Sequence, residues 1–167
     1  MPYNRLDVAM RELLSTFSCL EPAELTGRLA RTAAAVTGTA YAGFVRVDAL
    51  RQESCLLHVH TPPGDPLRLR RWLTESGVLK ELTASCEAVR LPADVSLGEP
   101  GFLATPVPVT AREHTFVWVA GRAFCDGDEH LLGRFATAAG RALEAASGCE
   151  AAVRLLRGVR AFRPVPP

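Results

Sequence analysis

The sequence predicts an α+β fold, an antiparallel sheet with helices gathered before and after its strands. Three observations carry this. The run from Gly101 to Ala146 holds two apolar, β-branched segments, Phe102 to Val109 and Thr115 to Ala120, and the polar stretch Thr110 to His114 between them reads as a hairpin turn. A long helix follows from Asp128. Its apolar positions Leu131, Phe135, Ala138, Ala142 and Ala145 recur at helical spacing, while His130, Arg134, Thr137, Arg141 and Glu144 fill the other face. Earlier in the chain, Tyr41 to Asp48 and Cys55 to His60 read as strands that the polar stretch Ala49 to Ser54 closes into a second hairpin.

The remaining elements follow in order. Leu6, Met10, Leu13 and Phe17 share one helical stripe, so residues 1–21 read as an amphipathic helix. Ser18 and Glu21 stand at capping-box spacing, and Pro22 suits a first helical turn. A second helix is expected from there to Val36, burying Leu25, Leu29, Ala33 and Val36, with Gly38 as terminator. Gly43, inside a strand, signals a bulge or a close backbone approach. Thr61 to Asp65 is a loop. Leu67 to Leu73 reads as a short helix or turn, and beyond Gly77 a second helical piece puts Val78, Leu79, Leu82 and Cys86 on one face. Ala88 to Leu91 is a short strand, and Pro92 to Pro100 reads as a loop on its turn formers. Cys125 occupies the cap position of the long helix, where Asp126 and Asp128 favour a helix start. After Gly148 a final basic amphipathic piece carries Arg154, Arg157, Arg160 and Arg163 before the Pro-rich tail, giving expected segments 1–21, 22–147 and 148–167.

At 167 residues and 48% hydrophobic, the chain suits one domain with a sizeable core. A net charge of +1 makes no global case for nucleic acid or a membrane surface as partner. The charged, amphipathic N-terminus lacks the unbroken apolar run of a signal peptide, and no segment is apolar enough to span a membrane, so a cytoplasmic protein is expected. Five widely separated cysteines, with no CxxC, read as reduced thiols. Lys80 is the only lysine among 19 basic residues, and with the abundant alanine this suggests a bacterial origin. His58 and His60 project from one face of a strand, but a metal needs a third ligand, so no metal site is expected.

The segments LARTAAAVTGTAYAGFVRVD (residues 29–48), FLATPVPV, FVWV and FCDGDEHLLGRFATAAGRALEAA together resemble a GAF domain, the small-molecule-sensing module of signalling proteins. The flavour is that of GAF domains in actinobacterial sensor histidine kinases, and the resemblance spans roughly residues 22–147. It implies a sheet with the N- and C-terminal helices on one face and the irregular helical segment on the other. A ligand pocket would then lie between the sheet and residues 66–91, closed by the 91–101 loop, with Phe44, His58, Trp72, Leu82, Phe102 and Trp118 as candidate ligand-binding residues. It also implies homodimerisation through the first and last helices.

Departures matter equally. The family's glycine after the hairpin turn is replaced by His114 and Thr115, and the 91–101 loop lacks the proximal histidine of the haem-binding members, so haem bound in their way is not expected. No cofactor is assigned. The chain leaves no length for a fused kinase, cyclase or helix-turn-helix partner, so any effector would be reached in trans.

The expected function is therefore a stand-alone, non-catalytic sensory domain that binds a small ligand or a partner protein in signal transduction. A degenerate dimeric adaptor is the alternative, and a pocket filled by Trp72, Phe102 and their neighbours would favour it. An enzyme alternative is a thiol-based free methionine sulfoxide reductase, a group that resembles GAF domains; it would need a nucleophilic and a resolving thiol, and Cys86 and Cys125 are the pair to inspect.

Overall fold

The computed structural model describes residues 22–161, so the expected first helix with Leu6, Met10, Leu13 and Phe17, and the tail from 162 onward, lie outside the described residues. The elements are α1 (Pro22–Thr37), β1 (Tyr41–Asp48), β2 (Glu53–His60), α2 (Leu69–Glu75), α3 (Val78–Ser85), β3 (Val89–Asp94), a 3₁₀ turn (Val95–Leu97), β4 (Glu99–Val107), β5 (His114–Ala120) and α4 (Asp126–Ala161). All strand pairs are antiparallel, in the order β2-β1-β5-β4-β3. The two expected hairpins are present. β1 and β5 are central and buried on both faces, which explains their near-continuous apolar runs; β2 and β3 form the edges and are more exposed.

Two layers of side chains cover the sheet. On one face α1 and α4 pack over Ala42, Phe44, Leu103, Val117 and Val119. On the other, Leu69, Leu73, Val78 and Leu82 of α2 and α3 pack over Val45, Val47, Phe102, Phe116 and Trp118. The α+β arrangement with terminal helices on one face and an irregular helical segment on the other is thus the observed one.

The helix faces differ from expectation in an instructive way. In α1 the buried residues are Thr26, Gly27, Ala30, Ala33, Ala34 and Thr37, while Leu25 and Leu29 are only half-buried and Val36 is 44% exposed. Small side chains let the helix axis approach the sheet. The buried hydroxyls cost little, because Thr26 Oγ1 donates to Pro22 O and Thr37 Oγ1 to Ala33 O, each at 2.7 Å. In α4 the buried stripe is Leu132, Ala136, Ala139 and Gly140, one residue beyond the expected one. Leu131, Ala138 and Ala145 instead face outward, and Phe135 and Ala142 are half-buried. Gly140 decides the rotation: a Cβ there would overlap the Pro108 carbonyl, so this side of the helix alone can meet the β4–β5 turn. The helix also passes Gly148 without a break.

The segment expected as a loop at 92–100 is largely strand. Pro92 is tolerated because β3 is an edge, with no outer neighbour to receive an N–H. Asp94 caps the 3₁₀ turn by accepting from Ser96 N at 2.9 Å, and Gly98, at φ 71°, turns the chain into β4.

One polar clamp ties the ends of this fold together. Arg122, in the β5–α4 loop, donates to Thr37 O at the end of α1 (2.6 Å) and to both carboxylate oxygens of Asp128 (2.6 and 3.1 Å), and stacks on Phe124 at 4.6 Å. Asp128 also accepts from Cys125 N at 2.9 Å, closing the first turn of α4. The Arg122 bond, then the Cys125 N–H, hold the Asp128 carboxyl well below the usual range. A depressed native value means the clamp stabilises the fold above the unfolded aspartate's range near pH 4, and that this contribution is lost as pH falls through the lower native value. Arg122→Ala should therefore lower stability by about 1–3 kcal/mol at neutral pH and move the acid-unfolding midpoint upward, read by circular dichroism during an acid titration.

Candidate functional site

The candidate site is the layer between the sheet and the α2–α3 segment. Loop chemistry positions it. Asp65, at the end of the TPPGD loop, accepts from Leu69 N (2.9 Å) and Arg70 N (3.2 Å) and so starts α2. Gly77, at φ 83°, separates α2 from α3, and together the two short helices lay Leu69, Leu73, Val78 and Leu82 on the sheet.

Three aromatic rings fill the layer. Trp72 packs on Phe102 with centroids 5.5 Å apart, and Phe102 stacks on Trp118 at 6.1 Å. Phe102, Trp118 and Leu82 are wholly buried, whereas Trp72 is half-buried at the rim. There its indole N–H donates to Glu99 Oε2 at 3.0 Å, so the β3–β4 tip latches onto α2. The contact closes this side, as expected of the 91–101 segment, though as a strand hairpin and not a loop. Outside the latch lies a shallow groove of about 320 Å³ bounded by Leu67, Arg71, Trp72 and Leu97. Trp118 goes deeper, its indole edge lying over Gly43, where a Cβ would overlap both that ring and the His58 carbonyl oxygen. The β1–β2 register shifts further along, between Phe44 and Val45, while Gly43 itself stays paired with Val59, so the glycine serves the close approach. The Trp118 indole N–H is buried with no hydrogen-bond partner among the described residues.

Of the six candidate residues, Trp72, Leu82, Phe102 and Trp118 come together on this face. Phe44 and His58 do not. Phe44 belongs to the opposite layer, under α1 and α4. His58 pairs with Phe44 across the strands and shares its face, beside Gly27 of α1, where a Cβ would stand 3.1 Å from the imidazole Cε1. The slip is one of sheet parity, since alternate residues of a strand face opposite layers. Burial, then the charges of His60, Arg70 and Arg31, pushes the His58 pKa down, keeping the ring neutral. Among the described residues no group of three or more His, Cys, Asp or Glu is placed to hold a metal, so the two histidines have no third ligand there.

Among the described residues, Cys55, Cys86, Cys125 and Cys149 form no disulfide. Cys125 is exposed at the start of α4, as expected, and lines a groove of about 410 Å³ with Arg90, Leu91 and Phe124. Cys86, half-buried in a left-handed C-cap of α3, is not among that groove's lining residues. Two larger grooves lie elsewhere. One of about 580 Å³ runs along the start of α4 past Thr105, Asp126, Glu129 and His130. The other, about 700 Å³, opens between α1, α4 and the β4–β5 turn.

Sequence reasoning missed Glu99 and Arg122. Glu99 lay in a stretch read as loop, though its place between Gly98 and Pro100 marks a forced turn; Arg122 lay in an unremarked loop six residues before its partner Asp128.

No protein-family model matches the chain, and no curated protein matches it. Solved structures do. The GAF3 domain of Slr1393 from Synechocystis sp. PCC6803, in its photoproduct state, superposes with a TM-score of 0.56 at 14% identity, over 76% of this chain and 96% of that one. The GAF-B domain of DevS from Mycobacterium smegmatis gives 0.55 at 19% identity, over 77% and 96%. The GAF domain/HD domain protein from Geobacter sulfurreducens gives 0.56 at 16%, over 80% and 97%. At these identities the likeness concerns architecture, and together with the sheet order and the two-sided helical cover it establishes that the chain has the GAF fold.

Proposed function

We propose that this protein is a cytoplasmic, non-catalytic signalling module of GAF fold that works as a homodimeric adaptor, passing a signal to a partner protein in trans. The observation that carries the reading is the filled layer: Phe102, Trp118 and Leu82 are wholly buried, and Trp72 is latched by Glu99 across the space a ligand would occupy. The surface left for partners is the outer side of α4, where Leu131, Ala138 and Ala145 form an apolar stripe that nothing among the described residues covers. Ala138→Arg would place a charge at the centre of that stripe. Wild-type protein should run as a dimer in light scattering and the variant as a folded monomer; a wild-type monomer sinks the adaptor reading.

A ligand-sensing reading is favoured by one specific observation, the buried indole N–H of Trp118, a donor that has no acceptor among the described residues. The thiol reductase reading has less support, since the exposed Cys125 and the half-buried Cys86 share no groove among those described. Turnover of free methionine sulfoxide with a thiol reductant would restore it.

A further inference from the structure

The groove of about 700 Å³ between α1, α4 and the β4–β5 turn lies on the sheet face opposite the aromatic layer. Its apolar lining is Phe44, Leu57, Val109, Ala111 and Leu143, and Pro22, the first residue of α1, stands in its wall. Leu57 is the residue that the β1–β2 bulge leaves over: Phe44 pairs with His58 and Val45 with Leu56, so Leu57 has no cross-strand partner and remains 38% exposed. The charged groups around it are already engaged. Arg46 pairs with Glu113 at 2.7 Å, and Glu144 accepts from Thr110 N and Oγ1 at 2.6 and 2.5 Å. The groove therefore offers apolar surface and few free charges.

Twenty-one residues precede Pro22, outside the described part of the chain, and Pro22, to which they are joined, stands in the wall of this groove. In sequence, Leu6, Met10, Leu13 and Phe17 make a single helical stripe, which the family resemblance would assign to a dimer interface. A helix over residues 6–17 would be about 18 Å long, and the connection at 18–21 reaches roughly 14 Å at most. Covalent attachment keeps the stripe close to the groove, at an effective concentration no separate molecule matches. We propose that residues 6–17 seat their apolar stripe in the groove of their own chain, against Leu57, Val109 and Leu143. The first helix is thereby removed from the dimer interface, which is left to the outer stripe of α4. The inference does not depend on the adaptor reading.

Hydrogen exchange read by mass spectrometry tests it on the full chain. In wild type the amides of residues 6–17 should be protected. In Leu57→Asp and in Leu13→Asp the same amides should exchange roughly tenfold faster or more, given what burial of such side chains contributes. Protection should be unchanged when the dimer is diluted to monomer. Unprotected amides in wild type, protection that Leu57→Asp leaves intact, or protection lost on dilution would each overturn the proposal, the last by assigning the stripe to a second copy. Should Leu57→Asp fail to fold, a photo-crosslinker at position 17 in a mixture of isotopically light and heavy chains decides the matter. Crosslinks to residues 53–60 or 109–115 within one chain support the proposal; light-to-heavy crosslinks, or crosslinks elsewhere, contradict it.

Discussion

Replacing Gly43 by alanine is expected to destabilise the fold by about 3 kcal/mol or more, at the upper end of what overpacking costs. The new methyl would overlap two groups that cannot swing away, the His58 backbone carbonyl and the wholly buried Trp118 ring. Relief would require moving either the β1–β2 bulge or the indole on which Phe102 stacks. For a chain of this size each kcal/mol is worth about 2–4 °C, so the melting temperature should drop by roughly 10 °C. Gly148→Ala is the matched control with the opposite sign. That glycine lies within α4 with no described residue inside 4 Å of a Cβ, and alanine there should be neutral or stabilising by up to about 1 kcal/mol. Equal losses in the two variants would mean that Gly43 has no special approach to Trp118.

Phe102→Ala should cost about 3–5 kcal/mol, the range for truncating a buried phenylalanine, and lower the melting temperature by roughly 6–20 °C. Phe102 is the middle ring, with Trp72 on one side and Trp118 on the other, so its loss leaves a cavity that both indoles border. The near-ultraviolet circular dichroism of the tryptophans should weaken for the same reason. A variant that still folds should also gain measurable affinity for a small aromatic such as benzene, because a dry cavity walled by rings accepts such guests. Wild type should not bind it. Binding by wild type would show the layer open before any mutation and would move weight to ligand sensing.

Much of this architecture was legible in the sequence. Tyr41 to Asp48 and the 102–120 hairpin read as strands because central strands are apolar on both faces, and Gly43 announced a close backbone approach. What failed was the choice of face. In α1 and α4 the buried side is made of Ala, Gly and Thr, and a reading that follows bulk selects Leu25, Val36 or Leu131 instead. Periodicity locates an apolar stripe, but an alanine-rich helix carries two, and Gly140 against the Pro108 carbonyl decides between them. The Pro92 to Pro100 stretch misled for a related reason, since proline excludes a central strand and not an edge.

The candidate site was half legible. Trp72, Leu82, Phe102 and Trp118 do share one layer, whereas placing Phe44 and His58 requires the strand parity and the β1–β2 register to be known. The Glu99 latch and the Arg122 clamp join residues 27 and 6 positions apart, and no local pattern announces either partner.

The most direct test of the adaptor reading is native mass spectrometry on protein purified without denaturation, since one spectrum reports both the copy number and any bound mass. The filled layer and the uncovered stripe of α4 predict a dimer with no added mass. A monomer, or a dimer carrying a defined small molecule, would contradict it.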